Sequence, residues 1–212
     1  MPAVDLTYRM TIDMPVYPGT PPPEIRSIAR FQDSGFREQQ LTFASHTGTH
    51  MDAPSHILDR GATLDELSVN QFFGTGLCID VGMTIPGPIE WTMLQRFQKE
   101  LADSDFLLLR TGWGQYWGSL RYFQGYPVLT TSASKRLSEF NLKGVGVDTL
   151  SVDTEDTADY PIHHTLLENH ILIIENLANL DRLPEGLFGQ LYCLPLHIGA
   201  SDGAPTRVVA FF

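Results

Sequence analysis

The chain has 212 residues, of which 42% are hydrophobic and 18% charged, a composition typical of globular proteins and unlike that of disordered ones. The formal net charge of −11, with only 14 Lys and Arg residues, argues against a nucleic-acid partner. No apolar run is long enough to span a membrane and no secretory signal is visible, so we expect a cytoplasmic protein. Nothing in the composition marks a joint, and we predict a single domain over residues 1–212.

Short strands, with two or three helices between them, dominate the predicted elements. Apolar helical spacing predicts a helix over residues 88–101 and another from Thr130 or Thr131 to about Phe140, with short helical turns at 63–67 and 161–167. The proline-rich segment 14–23 can enter neither a helix nor a central strand, so it should cover a surface or a cleft. The pattern predicts an α/β (α+β) fold with a mixed β core. The predicted strands are residues 3–10, 24–30, 39–45, 76–81, 106–110, 144–148, 171–175, 191–198 and 206–212.

Three of the seven histidines fall within residues 46–56, together with Asp52. Imidazoles and carboxylates are common ligands of transition metals, so this clustering predicts a metal site rather than a run of surface or core histidines. His50 and Asp52 stand two residues apart, so on an extended backbone their side chains point to the same face. Gly48 allows a tight turn that brings His46 close to His50, and His56 follows as a spare base.

A second group of candidate ligands lies far downstream. Glu175 closes an otherwise apolar strand, where a carboxylate is costly unless it is paired or bound to a cation. His163 and His164 precede it on a helix-like turn. Of the remaining histidines, His170 is expected to be solvated or capping, and His197 to be a packed strand residue. Because the candidate ligands include no cysteine, they suit an open catalytic site better than a closed structural zinc.

Two other enzyme classes lack their sequence motifs. No Gly-x-Ser-x-Gly is present, which argues against a serine hydrolase, and no glycine-rich dinucleotide motif precedes a helix.

The histidine motif resembles that of the cyclase family of metal-dependent hydrolases, which includes bacterial kynurenine formamidases (arylformamidases) and isatin hydrolases. The resemblance is carried by His46-Thr-Gly-Thr-His50-Met-Asp52-Ala-Pro54-Ser-His56. Further similar elements are the proline–glycine segment 14–23, residues 111–114 and 149–153, and Asp202-Gly-Ala-Pro205. The resemblance implies a cyclase-like swivelling β/β/α fold.

The resemblance also implies a role for each ligand. In the family the ligand histidine stands twelve residues before the ligand glutamate, which selects His163 as the partner of Glu175. His164, like His170, is then expected to be solvated or capping. It implies that two divalent cations, zinc or manganese, bind in each chain. The first would be held by His46, His50 and Asp52, and the second by His163, Asp52 and Glu175.

The implied reaction is hydrolysis of a small amide or cyclic amide. A metal-activated hydroxide would attack the carbonyl carbon, and His56 would pass a proton to the departing nitrogen. Two alternatives stay open: an isatin-hydrolase-like enzyme with one manganese, and a non-catalytic metal-binding protein on the same fold.

Two departures from the kynurenine formamidase pattern concern the substrate pocket. Tyr17 stands where those enzymes usually carry a tryptophan, and Thr20 where they carry an aspartate, so Tyr17 is predicted to contact the substrate. Family members commonly form dimers. We therefore expect a homodimer or a dimer-based oligomer, with contacts in the proline-rich segment and the aromatic segment 113–126.

Overall fold

A computed structural model describes residues 2–82 and 87–212. The strands are β1 (Ala3–Asp5), β2 (Glu24–Ala29), β3 (Glu38–Thr42), β4 (His50–Asp52), β5 (Phe73–Asp80), β6 (Phe106–Arg110), β7 (Gly144–Val147), β8 (Leu172–Glu175), β9 (Gly186–Pro195) and β10 (Gly203–Phe211). The helices are α1 (Phe31–Ser34), α2 (Trp91–Leu94), α3 (Gln98–Ala102), α4 (Thr131–Leu137) and α5 (Pro161–Glu168). Short 3₁₀ turns join several of them.

The main sheet closes on itself into a barrel. Its strands follow the order β1-β10-β4-β8-β7-β6-β5-β9, and β9 also pairs with β10. Strand β10 makes this closure, because one of its edges pairs with β9 while the other carries β4 at residues 203–205 and then β1 at residues 209–211. Strands β5 to β8 are parallel and the remaining pairs are antiparallel, so the predicted mixed β core is confirmed.

Two apolar cores lie on opposite faces of this sheet. Successive residues of β6 enter different cores, with Phe106 and Leu108 in one and Leu107 and Leu109 in the other. The first core also draws residues from β9 and β10 across the ring, so it fills the barrel interior. The second packs the outer face against the α2–α5 layer. Burial on both faces explains why β6 reads as an uninterrupted apolar run.

The hairpin of β2 and β3 stands apart from the barrel as a two-stranded sheet with no buried residue in either strand. The predicted strand 39–45 therefore does not run into the histidine motif, because β3 ends at Thr42. The two strands are joined by the short helix α1, which is followed by Gly35 with a left-handed φ of 76°. The motif has its own strand, β4, in the main sheet.

Two further predicted elements are shorter than expected. The first strand ends at Asp5, after which Thr7 forms an isolated bridge with Leu177. The helix predicted over residues 88–101 begins at Trp91 and is interrupted by the 3₁₀ turn Gln95–Phe97. Its expected first turn is extended because Ile89 pairs with Leu129.

Three rings of the aromatic segment 113–126 are buried, whereas Leu120 in the same segment is 89% exposed. Trp113, Tyr122 and Tyr126 are at most 5% exposed and form a third core with Leu150, so these three rings cannot serve as the expected subunit contact. Among the described residues, no helix has the length and apolar character needed to cross a bilayer.

Candidate metal centre and active site

The three-residue strand β4 positions the centre of the site. It lies between β8 and β10, with His50 opposite Glu175 and Asp52 opposite Gly203. Residues directly opposite in an antiparallel pair place their side chains on the same face. The two-residue spacing adds Asp52 to that face, as predicted, so the pairing register brings all three groups together.

The distances at this face are short. His50 Nε2 lies 3.2 Å from Asp52 Oδ1 and 3.4 Å from Glu175 Oε2. His46 Nδ1 lies 2.7 Å from the same Asp52 oxygen. Gly48, whose φ of 68° is left-handed, makes the turn that the sequence predicts between the two histidines. Its carbonyl accepts a hydrogen bond from His50 Nδ1 at 2.8 Å, which leaves Nε2 directed at the carboxylates.

His163 reaches the site from the first turn of α5. Its Nε2 lies 3.5 Å from Glu175 Oε1 and 3.7 Å from Asp52 Oδ2. Asp153 fixes this ring, since its Oδ2 lies 2.7 Å from His163 Nδ1. The same carboxylate accepts hydrogen bonds from the backbone N–H groups of Ile162 and His163, both at 3.0 Å, and so caps the helix.

A divalent cation fits this set of donors. Asp52 is fully buried, yet its Oδ2 has no hydrogen-bond partner among the described residues. Leaving a buried carboxylate oxygen unpaired is costly, whereas a cation would satisfy it. Two groups of side chains could each hold an ion, because within each group the ligand atoms lie within 4.8 Å of one another. Both groups include Asp52. They are His46, Asp52 and His56, and His50, Asp52 and Glu175.

The carboxylates of this site favour the protonated forms of the histidines beside them. Burial is the largest influence on His50 and lowers its pKa, but the Asp52 and Glu175 carboxylates outweigh burial and raise the pKa to about 10. The pKa of His163 is likewise raised, because Asp153, Glu175 and Asp52 together overcome the opposing effect of burial. These protons would have to leave when a metal binds.

His56 differs from these ligands in its surroundings. Burial lowers the pKa of His56, so its imidazole is neutral near pH 7. Its ring packs 4.0 Å from the His46 ring, and its Nδ1 lies 3.6 Å from Asp202 Oδ2. Its side chain is 29% exposed. A neutral, partly accessible imidazole beside a metal site can accept and donate a proton.

A cavity of about 300 Å³ is lined by His46, His50, His56, His163 and Glu175, whereas Asp52 lies behind them. Tyr17 and Thr20 from the proline-rich segment form part of its wall, so that segment covers a cleft as predicted. Tyr17 is 39% exposed and accessible to a bound molecule. The remaining lining residues are Pro15, Val16, Gly48, Ile57, Leu150, Ser151, Thr154, Tyr160 and Asn176.

Three residues of the site were not singled out from the sequence. Asp153 orients His163, Asp202 lies 2.9 Å from His46 Nε2, and Asn176 binds the Gly48 carbonyl. Asp153 and Asp202 lie in segments with family-like patterns, which was the available signal. Asn176 is signalled only by its position directly after Glu175.

The remaining histidines lie outside the cavity. His164 is 3.5 Å from Glu168 on the outer side of α5, and His170 is exposed with a left-handed φ of 60° just after that helix. The expectation that both are solvated or capping is confirmed. The expectation that His197 is a packed strand residue is wrong, because β9 ends at Pro195 and His197 is exposed.

Comparison with known proteins places this arrangement in a family. The profile of the family described as "Putative cyclase" matches residues 4–154. The kynurenine formamidase of Bacillus thuringiensis (strain Al Hakam) is 32% identical over 208 residues, which cover 97% of this chain and 95% of that protein.

Solved structures share the fold over nearly the whole chain. Isatin hydrolase A from Labrenzia aggregata, bound to benzyl benzoate, is 27% identical with a TM-score of 0.87 and covers 99% of this chain and 93% of its own. The predicted metal-dependent hydrolase from Bacillus stearothermophilus is 26% identical with a TM-score of 0.80. The match covers 99% of this chain and 97% of that one. These similarities support the hydrolase class and a divalent metal for this chain. With a profile match over most of its length and the histidine and carboxylate groups gathered at one site, the chain belongs to the cyclase family of metal-dependent hydrolases.

Proposed function

We propose that this protein hydrolyses small amides or cyclic amides in a metal-dependent reaction resembling that of the arylformamidases. The observation that carries the proposal is the convergence of six side chains from two distant segments on one site. They are His46, His50, Asp52, His56, His163 and Glu175.

We further propose that two divalent cations, zinc or manganese, bind in each chain, where His46, His50 and Asp52 would hold the first and His163, Asp52 and Glu175 the second. His46 lies 2.7 Å from Asp52, and His50 lies 3.2 Å from Asp52 and 3.4 Å from Glu175. His163 lies within 3.7 Å of both carboxylates. When bound, such a cation supplies Lewis acidity, which polarises a carbonyl oxygen and acidifies water.

The side chains of this protein supply the remaining steps. The neutral His56 imidazole takes a proton from water at Nε2, since its Nδ1 faces Asp202, and returns that proton to the departing amide nitrogen. Asp153 and the Gly48 carbonyl hold the rings of His163 and His50 in place. Tyr17 is positioned to pack against a planar substrate at the cavity wall.

A second candidate is a mononuclear manganese enzyme acting on isatin. The structural similarity to isatin hydrolase A, with a TM-score of 0.87, favours it. Glu175 favours two cations, since this carboxylate lies within 3.5 Å of both His50 and His163. A non-catalytic metal-binding protein is less well supported, because such a protein needs no proton-transfer group at the position of His56.

We also propose a homodimer or a dimer-based oligomer. Apolar side chains project outward from β9 and the segment that follows it, including Leu194 and Leu196, each 48% exposed, and Ile198, 42% exposed. Exposed apolar patches often mark subunit interfaces. Light scattering of the purified chain tests this assembly, and a monomeric mass would refute it.

The proposed function is tested by metal titration followed by assay. The protein is stripped with a chelator, titrated with zinc and with manganese by calorimetry, and then assayed on formanilide, N-formylkynurenine and isatin. About two equivalents together with formamide cleavage support the binuclear enzyme. One equivalent together with isatin cleavage supports the second candidate.

Adjacent histidines provide a matched control for this experiment. His163→Ala should lose metal and activity, whereas His164→Ala should keep both, because His164 points away from the site. If the wild-type chain binds neither metal, the proposal is wrong.

A further inference from the structure

Asn176 follows Glu175 directly, and all of its polar groups form hydrogen bonds. Its backbone N–H donates to Thr149 O at 3.0 Å, and its backbone carbonyl accepts from Thr49 Oγ1 at 2.6 Å. Its side-chain Oδ1 accepts from Tyr122 Oη at 2.8 Å, and Nδ2 donates to Gly48 O at 3.0 Å. The residue is only 4% exposed, so these bonds are shielded from water.

These bonds join the segments that carry the candidate ligands. The Gly48 carbonyl accepts from both Asn176 Nδ2 and His50 Nδ1. The Asn176 side chain therefore holds the Gly48 carbonyl in place, and this carbonyl in turn orients the His50 ring. Because a carbonyl only accepts, Gly48 determines which end of the Asn176 amide faces it, and the buried Tyr122 hydroxyl donates to the other end.

The backbone of Asn176 is held in a sparsely populated conformation. Its φ of 57° is left-handed, which costs free energy for any residue other than glycine and is best tolerated by Asn and Asp. Such strain persists when surrounding contacts enforce it, and it is frequent at functional sites. Here the strained peptide lets one residue reach both the histidine loop and the Thr149 segment.

We propose that Asn176 is a positioning residue that orients His50 through the Gly48 carbonyl and thereby sets the metal affinity of the site. The inference rests on the metal centre of the proposed function. Groups that hydrogen-bond a metal-ligating histidine, or hold its partner, typically change metal affinity by about 10–100-fold when removed. A role limited to folding would change stability without changing the affinity of the folded protein.

The chain contains a matched control. Asn179 also has a left-handed φ, 56°, and its Nδ2 donates to a backbone carbonyl, that of Asp5, at 2.8 Å. It is exposed and does not line the cavity. Replacing either asparagine with glycine preserves access to positive φ and removes the side chain with its hydrogen bonds. The comparison therefore separates the loss of the hydrogen bond from the Asn176 side chain to Gly48 O from any effect of a glycine at a left-handed position.

The experiment compares Asn176→Gly, Asn179→Gly and Tyr122→Phe with the wild type after chelator treatment. Three quantities are measured: the dissociation constant of zinc by competition calorimetry, the visible absorption spectrum of the cobalt-substituted protein, and the Tm without metal. Asn176→Gly should bind zinc about 10–100-fold more weakly and show an altered cobalt spectrum. Tyr122→Phe should weaken zinc binding and alter the cobalt spectrum in the same direction but to a smaller extent. Asn179→Gly should change neither the zinc affinity nor the cobalt spectrum.

Two results would overturn the inference. One is wild-type zinc affinity and a wild-type cobalt spectrum in both Asn176→Gly and Tyr122→Phe. The other is an equal loss of affinity in Asn179→Gly. If Asn176→Gly does not fold, Tyr122→Phe decides the question by the same criteria. A chain that binds zinc in this Asn176-dependent way but cleaves no amide would refute the proposed function and leave this inference intact.

Discussion

Asp153 gives the clearest test of how the site is supported, because its carboxylate has two separable roles. It caps α5 by accepting the N–H groups of Ile162 and His163, and it holds the His163 ring at Nδ1. Asp153→Ala removes both roles and introduces no new group.

The expected losses follow from these contacts. Removing a capping carboxylate costs about 0.5–2 kcal/mol of stability. The bond to His163 Nδ1 spans 2.7 Å and is nearly buried, and a charged hydrogen bond of this kind contributes about 1.5–3 kcal/mol. Together they predict a loss of about 2–5 kcal/mol in the unfolding free energy of the metal-free protein. Zinc affinity should fall about 10–100-fold, because His163 loses the group that orients it.

Thr130→Ala is the control for the capping role. Thr130 Oγ1 accepts from Ala133 N at 3.1 Å and caps α4, away from the site. This variant should lose about 0.5–2 kcal/mol in urea unfolding and bind zinc like the wild type in calorimetry. Wild-type zinc affinity in Asp153→Ala would contradict the reasoning, as would an equal loss of affinity in Thr130→Ala.

Three further outcomes are expected. First, the Tm of the metal-free protein should fall as pH rises from about 6.5 towards 10, because folding raises the pKa of His50 and the stabilisation is lost as His50 loses its proton. His50→Gln should flatten this profile, and a wild-type Tm that rises over this range would contradict the prediction. Second, His56→Gln should reduce kcat about 100- to 10,000-fold and leave the zinc stoichiometry unchanged in calorimetry, whereas full activity would exclude its proton-transfer role. Third, Gly48→Ala and Gly35→Ala should each cost about 1–2 kcal/mol in urea unfolding, because both glycines have a left-handed φ, but only Gly48→Ala should weaken zinc binding.

The local pattern of the sequence predicted the centre of the site well. The two-residue spacing of His50 and Asp52 and the turn at Gly48 are both present in the structure. Such features depend on backbone geometry over a few residues. The choice of His163 over its neighbour came from the family spacing, and the structure shows that His163 faces inward while His164 faces solvent.

The supporting residues could not be predicted because they depend on contacts between distant segments. Asp202 and His46 are 156 residues apart in sequence, and Asn176 and Gly48 are 128 apart. The strand β4 is only three residues long, too short for its pairing register to be read from an alternating pattern. The helix predicted from residue 88 begins only at Trp91 for a related reason. The bridge between Ile89 and Leu129, which are distant in sequence, overrides the local helix propensity.

The position of β4 between β8 and β10 has a consequence for biosynthesis. The histidine motif leaves the ribosome early, but both neighbouring strands and Asp202 are synthesised much later. The motif can pair with β8 once residues 172–175 are synthesised, but its other edge stays unpaired until β10 has emerged. A product that stops before residue 203 would keep every ligand histidine and still lack one of the two strands that flank β4.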